Sequence, residues 1–341
     1  MGAVPAVADP GYLALSEVVT AQREGLLSAA AYAETLLARV VAQEPLLHTF
    51  AWFDPDHWRA QARARDAQPG GGVLQGIPVG VKDIIDTAGI PTEWGTPACR
   101  GRVPSRSATV VRRLEAAGGY VAGKTVTAEL AFYAPGPTRN PWNAEHTPGG
   151  SSSGSAAAVA AGFVPVALGT QTNGSVIRPA AYCGVVGFKP SSGLIPRSGM
   201  LPFSRTLDTV GVFARRVADA ACLARVLAGR DEEDPSGVEA PQALAPVAAA
   251  TTPPRLAFVR TSAWYQAEGY QREHLLDLAS RFAAADAVVE EVALPPVFEE
   301  GWALHRTIMY GEGARALMPL YDRDREQLSE RLQALIEEGL A

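Results

Sequence analysis

Three segments of this chain bring together residue types that can move protons and carry an acyl group. The first, Gly76-Ile77-Pro78-Val79-Gly80-Val81-Lys82-Asp83, contains a lysine. The second is Gly149-Gly150-Ser151-Ser152-Ser153-Gly154-Ser155, and the third is Gly169-Thr170-Gln171-Thr172-Asn173-Gly174-Ser175. Lys82 stands out because lysine is scarce: only three occur, all between residues 82 and 189, against 27 arginines. Arginine serves a solvated surface as well but keeps its proton, whereas a buried lysine can become a neutral base. Lysine and serines together point to acyl transfer without histidine.

If residues 78 to 84 form a strand, alternation turns Val79 and Val81 to one face and Gly80 and Lys82 to the other. The lysine then passes a neighbour with no side chain, which suits a buried site. To act as a base at neutral pH its pKa must fall from about 10.4 to about 7, a selective penalty of roughly 4 to 5 kcal/mol on the charged form. Burial among small polar groups can supply it. The competing reading is a strand-end lysine paired with Asp83 at the surface.

The Gly149–Ser155 segment has four readings. A flexible linker would not run directly into an Ala-rich apolar helix. A phosphate-binding loop has the spacing of Gly149 and Gly154, but Ser155-Ala156 follow where the phosphate-holding lysine belongs. Gly150-Ser151-Ser152-Ser153-Gly154 matches a Gly-x-Ser-x-Gly elbow, yet residues 143 to 148 offer no strand before it, and only His274 and His305 follow as partners. The fourth reading is a hydroxyl-bearing loop at a helix N-terminus, where N–H groups and the helix dipole favour a serine alkoxide or a proton relay. Ser175 is then the candidate nucleophile. Asn173 and Gly174 before it can take unusual dihedrals that turn successive N–H groups inward as an oxyanion hole.

Taken together, the segments resemble the amidase signature family, whose members use a Ser-cisSer-Lys triad on amides. The resemblance covers roughly residues 12 to 230. The family's Gly-Ile/Val-Pro-x-x-x-Lys-Asp strand, its first serine after a Gly-Gly pair and the serine ending its Gly-Thr-x-x-Gly-Gly-Ser run fall on Lys82, Ser151 and Ser175. Sixty-nine residues separate the first two and 24 the last two. The resemblance implies Lys82 as general base, Ser151 as proton relay, Ser175 as nucleophile and an oxyanion hole from Thr172, Asn173, Gly174 and Ser175, with no cofactor and no metal. It also implies an α/β amidase-signature fold, a central mixed β-sheet covered by helices on both faces.

Three departures carry information. Asn173 stands at the usual first glycine, Gln171 where aspartate is common, and Arg178 follows the nucleophile by three positions rather than two. One helical turn would bring Arg178 to the nucleophile's face, able to bind a substrate carboxylate bidentately, as in family members that act on malonamate-like amides. The alternative is an arginine paired with a structural carboxylate.

The elements that must position these residues alternate along the chain. Residues 12 to 44 read as two helices, the second capped by Ser28 with Leu36, Leu37, Val40 and Val41 on one face. Strands are expected at Leu46–Phe53, Pro78–Ile84, Tyr120–Ala122, Val164–Leu168 and Val185–Phe188. Helices are expected at Pro55–Asp66, Ser107–Ala117, Ser152–Ala161, Val176–Tyr182 and Asp219–Leu227. Ala67–Gly72 and the Pro-rich 134 to 148 read as loops, and Arg230–Pro254 as a surface connection rather than a domain boundary. Beyond it, Arg255–Val259 and Val288–Leu294 read as strands, and Gln271–Ala284 and most of Trp302–Leu340 as helix. The expectation is one amidase domain over 1 to 341, with a signature core at about 75 to 230.

The chain has 341 residues, 47% hydrophobic and 19% charged, and a net charge of −6, a globular composition with no basic field for nucleic acid. No apolar run is long enough to cross a bilayer. Three unclustered cysteines and an N-terminus, Met1 to Pro10, without a secretory pattern point to the cytoplasm. The chain stops at Ala341 without the later Pro-rich segment and final Gly/Pro loop of the family, so the expectation includes a fragment, a shortened variant or an inactive relative. The function expected is hydrolysis of a small linear amide, carboxylated if Arg178 faces it. The alternatives are a glutamine-amidase subunit of a tRNA-dependent amidotransferase and a noncatalytic binding or scaffold protein. A homodimer is left open.

Overall fold

A computed structural model describes residues 9–68, 71–239 and 251–341 of the chain. Most of the N-terminal stretch read for a leader, the tip of the 67 to 72 loop and the middle of the 230 to 254 connection lie outside the described residues. The contacts group the chain into two compact units, Met1–Pro246 with Met309–Ala341, and Val247–Ile308. The expectation from sequence was a single domain, and the change of unit falls within the segment read as a surface connection.

In the first unit, α1 (Leu15–Arg23) buries Leu15, Val18 and Val19. The second helix, α2 (Ala29–Leu47), begins where the Ser28 hydroxyl accepts the Ala31 N–H. It buries Leu36, Leu37 and Val40, but Val41 is 66% exposed, outside the apolar stripe. The strand expected from Leu46 starts only at β1 (Phe50–Trp52), because α2 continues past Pro45. Proline costs a helix one hydrogen bond, here to an exposed turn, and the helix closes at His48, whose N–H donates to the Glu44 carbonyl. The Glu44 carboxylate then accepts from Phe50 N–H and Thr49 Oγ1, turning the chain into β1.

Asp54 accepts from the N–H groups of Asp56 and His57 and starts α3 (Pro55–Asp66), whose proline at the first position lacks only a hydrogen that no helical carbonyl needs. Next come β2 (Pro78–Lys82), α4 (Thr109–Ala116), β3 (Tyr120–Thr125), α5 (Ser153–Ala160), β4 (Val166–Gln171), α6 (Ile177–Cys183), β5 (Val186–Phe188), β6 (Thr209–Ala214) and α7 (Val217–Leu227). The strands form one mixed sheet in the order β1-β3-β2-β4-β6-β5. β3, β2 and β4 run parallel, while β1 is antiparallel to β3, and β6 to both β4 and β5.

Every residue of β2, β3, β4 and β6 is buried. Since successive side chains point to opposite faces, both faces of the sheet are covered, as expected for a sheet between helical layers. β6 was not foreseen from sequence. Its register, Gln171 opposite Thr209 through Val166 opposite Ala214, supports β4 along its whole length.

The second unit holds β7 (Arg255–Phe258) and β8 (Val288–Glu291), a parallel pair joined through α8 (Gly269–Ala284). Residues 302 to 340 are helical with one break, between α9 (Gly301–Asp324) and α10 (Glu330–Leu340). The part of α9 from Met309 onward belongs to the first unit and buries Met309, Ala314 and Leu317. Among the described residues no helix is long and apolar enough to cross a membrane.

Candidate active site

Lys82 ends β2 with its side chain wholly buried. Its face is open because Gly80 precedes it: a Cβ there would lie 3.0 Å from the Thr125 side chain and 3.3 Å from that of Ala167. Nζ donates to Ser151 Oγ at 2.8 Å and to Thr170 Oγ1 at 2.9 Å. Burial pulls the Lys82 pKa from its ordinary 10.5 to about 7, against the attraction of the Asp208 carboxylate.

The pairing of Lys82 with Asp83 at the surface does not occur. Asp83 is 2% exposed, accepts the Glu93 N–H and lies 3.8 Å from the Nζ of Lys124, a second buried lysine on β3. Lys124 also donates to the Ile85 carbonyl and Thr92 Oγ1, both at 2.6 Å, which ties down the chain leaving β2. Alternation along the strand explains the swap, because Asp83 points away from the face that Lys82 uses.

The peptide bond between Gly150 and Ser151 is cis. Ser151 is 5% exposed, and its carbonyl accepts the Ala128 N–H. Ser152 is the residue before α5, and its hydroxyl donates to the Thr170 carbonyl and accepts the Thr170 N–H. Gly154 lets the helix start press on the sheet: a Cβ there would sit 2.2 Å from the Thr49 carbonyl oxygen and 2.4 Å from the Val126 nitrogen. No strand leads into this segment, so the hydrolase-elbow reading fails on its own criterion.

Ser175 is 7% exposed at the turn between β4 and α6. Gln171, at the usual aspartate position, caps that helix: its Oε1 accepts the N–H groups of Val176 and Ile177 at 2.9 and 3.0 Å. Asn173 and Gly174 do not adopt the left-handed backbone expected of them. The Arg178 side chain packs against Gly174 instead: a Cβ there would lie 2.6 Å from Arg178 Nη2. Of the four residues expected to form an oxyanion hole, Gly174 gives its N–H to Asn173 Oδ1 at 2.5 Å. The N–H groups of Asn173 and Ser175 have no protein acceptor among the described residues. Thr172 donates its hydroxyl to Asp208 at 2.6 Å.

Arg178 donates to Asn173 Oδ1 at 2.7 Å, and no carboxylate lies within ion-pair distance of it among the described residues. The structural-carboxylate alternative therefore has no partner here. Asn173 Nδ2 in turn donates to Tyr133 Oη at 2.7 Å. Ser151, Ser175, Asn173 and Arg178 line one cavity of about 240 Å³ with Phe132, Tyr133, Phe203 and Met309. Among the described residues that line it, Arg178 is the single charged one. Ser151 and Ser175 share this cavity without a hydrogen bond between them. Sequence reasoning gave no role to Thr170, Tyr133 or Asp208. Thr170 was findable as the polar residue near the end of an apolar strand, while the other two come from loops that only tertiary structure brings in. Among the described residues no group of three His, Cys, Asp or Glu side chains could hold a metal ion.

This lysine and these serines, on this sheet, can form a proton relay to a nucleophile. The family model for amidases matches residues 31–341. The A-type subunit of glutamyl-tRNA(Gln) amidotransferase from Roseiflexus sp. (strain RS-1) is 43% identical over 238 residues, 67% of this chain and 49% of that protein. The chain thus spans about half the length of this curated relative. A solved amidase structure superimposes with a TM-score of 0.85 at 31% identity, covering 96% of this chain and 74% of the other. Native peptide amidase from Stenotrophomonas maltophilia gives 0.82 at 30% identity, covering 97% and 75%.

Proposed function

The chain belongs to the amidase family, and within it we propose a hydrolase of small linear amides that carry a carboxylate. The observation that carries the chemistry is Lys82: wholly buried, bonded to two hydroxyls and drawn to a pKa of about 7, it is available as a neutral base at physiological pH. Ser175 Oγ attacks the amide carbonyl carbon, its proton passes to Ser151 Oγ, and the Ser151 proton passes to Lys82 Nζ. The N–H groups of Asn173 and Ser175 stabilise the oxyanion, each by a few kcal/mol. Collapse of the tetrahedral intermediate breaks the C–N bond, and the proton returns from Lys82 through Ser151 to the leaving nitrogen. Water, deprotonated by the same relay, then attacks the ester carbonyl and releases the acid and Ser175.

Arg178 supplies the substrate preference. A guanidinium at the wall of a cavity whose other described lining residues are apolar or neutral favours an anionic substituent on the amide. The test is a panel of ω-carboxylated amides against their neutral isosteres, with product release followed for the parent chain and Arg178→Ala. The proposal expects the preference for anionic amides to vanish in the variant; an unchanged preference contradicts it.

A second reading, the glutamine-hydrolysing A-type subunit of a tRNA-dependent amidotransferase, is favoured by the 43% identity to one such protein. Glutamine carries a carboxylate suited to Arg178, but also an α-ammonium, and among the described residues no acidic side chain lines the cavity. Ammonia release from glutamine that requires added partner subunits would select this second reading. A noncatalytic relative would take no covalent label at Ser175.

A further inference from the structure

We infer that Asp208 is a positioning residue for acylation, the buried countercharge that lets Lys82 accept the serine proton and the anchor that holds Thr172 in the oxyanion loop. This inference rests on the reading above in which Lys82 is the base. Asp208 immediately precedes β6, where Thr209 lies opposite Gln171, so the antiparallel register brings it beside the turn that ends in Ser175. It is 4% exposed. One carboxylate oxygen accepts Thr172 Oγ1 at 2.6 Å; the other accepts the N–H groups of Phe203 and Ser204 at 2.9 and 2.8 Å.

No cation lies within ion-pair distance of this carboxylate among the described residues. Arg197 reaches only the Asp208 backbone carbonyl, at 3.4 Å, and directs its guanidinium to Asp234. Lys82 is likewise without an ion pair among the described residues, and once it takes the relay proton it is an ammonium in the same interior. A charge formed away from water is felt by an opposite charge far more strongly than at the surface.

The other groups around the two are neutral hydroxyls or charged groups with hydrogen-bond or ion-pair partners of their own, and Arg197 is the nearby cation whose charge also acts on Asp208. Asp83, just after β2, and Lys124 on β3 face each other. Ser151 and Thr170 are hydroxyls, and α5 carries no charged residue. On the far side of Asp208, Arg197 is paired with Asp234, and Glu312 of α9 is held by the hydroxyls of Ser204 and Thr206. The attraction of Asp208 opposes the desolvation of Lys82.

The test is the second-order rate at which a fluorophosphonate labels Ser175, read by intact-protein mass spectrometry across about pH 5 to 10, a range that brackets the lysine titration. Asp208→Asn can keep the contacts, its carbonyl facing the two N–H groups and its amide donating to Thr172 Oγ1, while removing the charge. The acid limb of its profile is expected to move down by about one pH unit, to a lower plateau, because the protonated lysine has lost its countercharge. Thr172→Val, which removes the hydrogen bond and keeps the charge, should lower the plateau and leave the midpoint in place. An unmoved midpoint in Asp208→Asn, or an equal shift in Thr172→Val, overturns the inference. A parent chain that takes no label overturns the acyl-enzyme reading, and this inference with it. A reciprocal measurement leaves Asp208 intact: by carboxyl ¹³C NMR, its titration should move up in Lys82→Met, and an unmoved titration is contrary evidence.

Discussion

Replacing Lys82 by methionine should change how the stability of the chain depends on pH, and the size of the change follows from burial. The folded lysine titrates near 7 and the unfolded one near 10.5. Between these values the unfolded state binds more protons, so stability must rise with pH across that window. Below about pH 7 both states are protonated and the full desolvation penalty is present; above 10.5 both are neutral and it is gone. At 1.36 kcal/mol per pH unit the rise is about 5 kcal/mol. Methionine keeps most of the volume and abolishes this term, at the cost of two hydroxyls losing a donor, roughly 1 to 3 kcal/mol each at any pH. The margin by which Lys82→Met is more stable than the parent, or less unstable, should therefore shrink by about 5 kcal/mol from pH 7 to 10.5. Urea unfolding followed by circular dichroism at a series of pH values measures it. Lys124, lowered to about 8 by burial, titrates in both chains and cancels in the difference. Parallel stability curves would refute a buried, neutral Lys82.

Further outcomes can be checked with the same material. Gly154→Ala should lose about 3 kcal/mol of stability in thermal or urea unfolding, because its Cβ would meet at 2.2 and 2.4 Å two backbone atoms, Thr49 O and Val126 N, that are hydrogen-bonded to each other. Ser155→Ala should lose about 1 to 3 kcal/mol, since Ser155 Oγ donates to the Leu168 carbonyl at 2.8 Å and is bonded to Thr125 Oγ1 at 2.6 Å in the interior. Arg178→Ala should reduce kcat/KM for carboxylated amides about 10- to 100-fold, and for neutral amides little, the size expected for a lost charged hydrogen bond. With any accepted amide, kcat/KM should fall as the pH drops through about 7, where Lys82 takes up its proton and no longer serves as a base.

What the sequence made legible was local chemistry. The helix read over Pro55–Asp66 is α3, and the direction of Lys82 followed from strand alternation past Gly80. Lys82 and Ser151 are hydrogen-bonded, and Ser151 and Ser175 line one cavity. What it left hidden depends on partners far along the chain. β6 is buried on both faces, so Thr209–Ala214 shows no alternation, and six such residues between turns carry no period that distinguishes strand from coil. Missing β6 meant missing Asp208, whose role comes from a register with β4. The fate of Asp83 was hidden for the same reason, since its partner Lys124 sits on the neighbouring strand. Asn173 and Gly174 were read for backbone freedom, yet side-chain contacts decide both: Asn173 bridges Arg178 and Tyr133, and Gly174 leaves room for the guanidinium.

The central claim is that Ser175 becomes acylated through Lys82 and Ser151. The most direct measurement is peptide-level mass spectrometry after rapid quenching of the chain with an accepted amide or a fluorophosphonate, on the parent chain, Lys82→Ala and Ser151→Ala. The account predicts an adduct on Ser175 in the parent chain, formed about 10²- to 10⁴-fold more slowly in either variant at neutral pH. An adduct on another residue, or labelling of Ser175 that is as fast without Lys82, would contradict it.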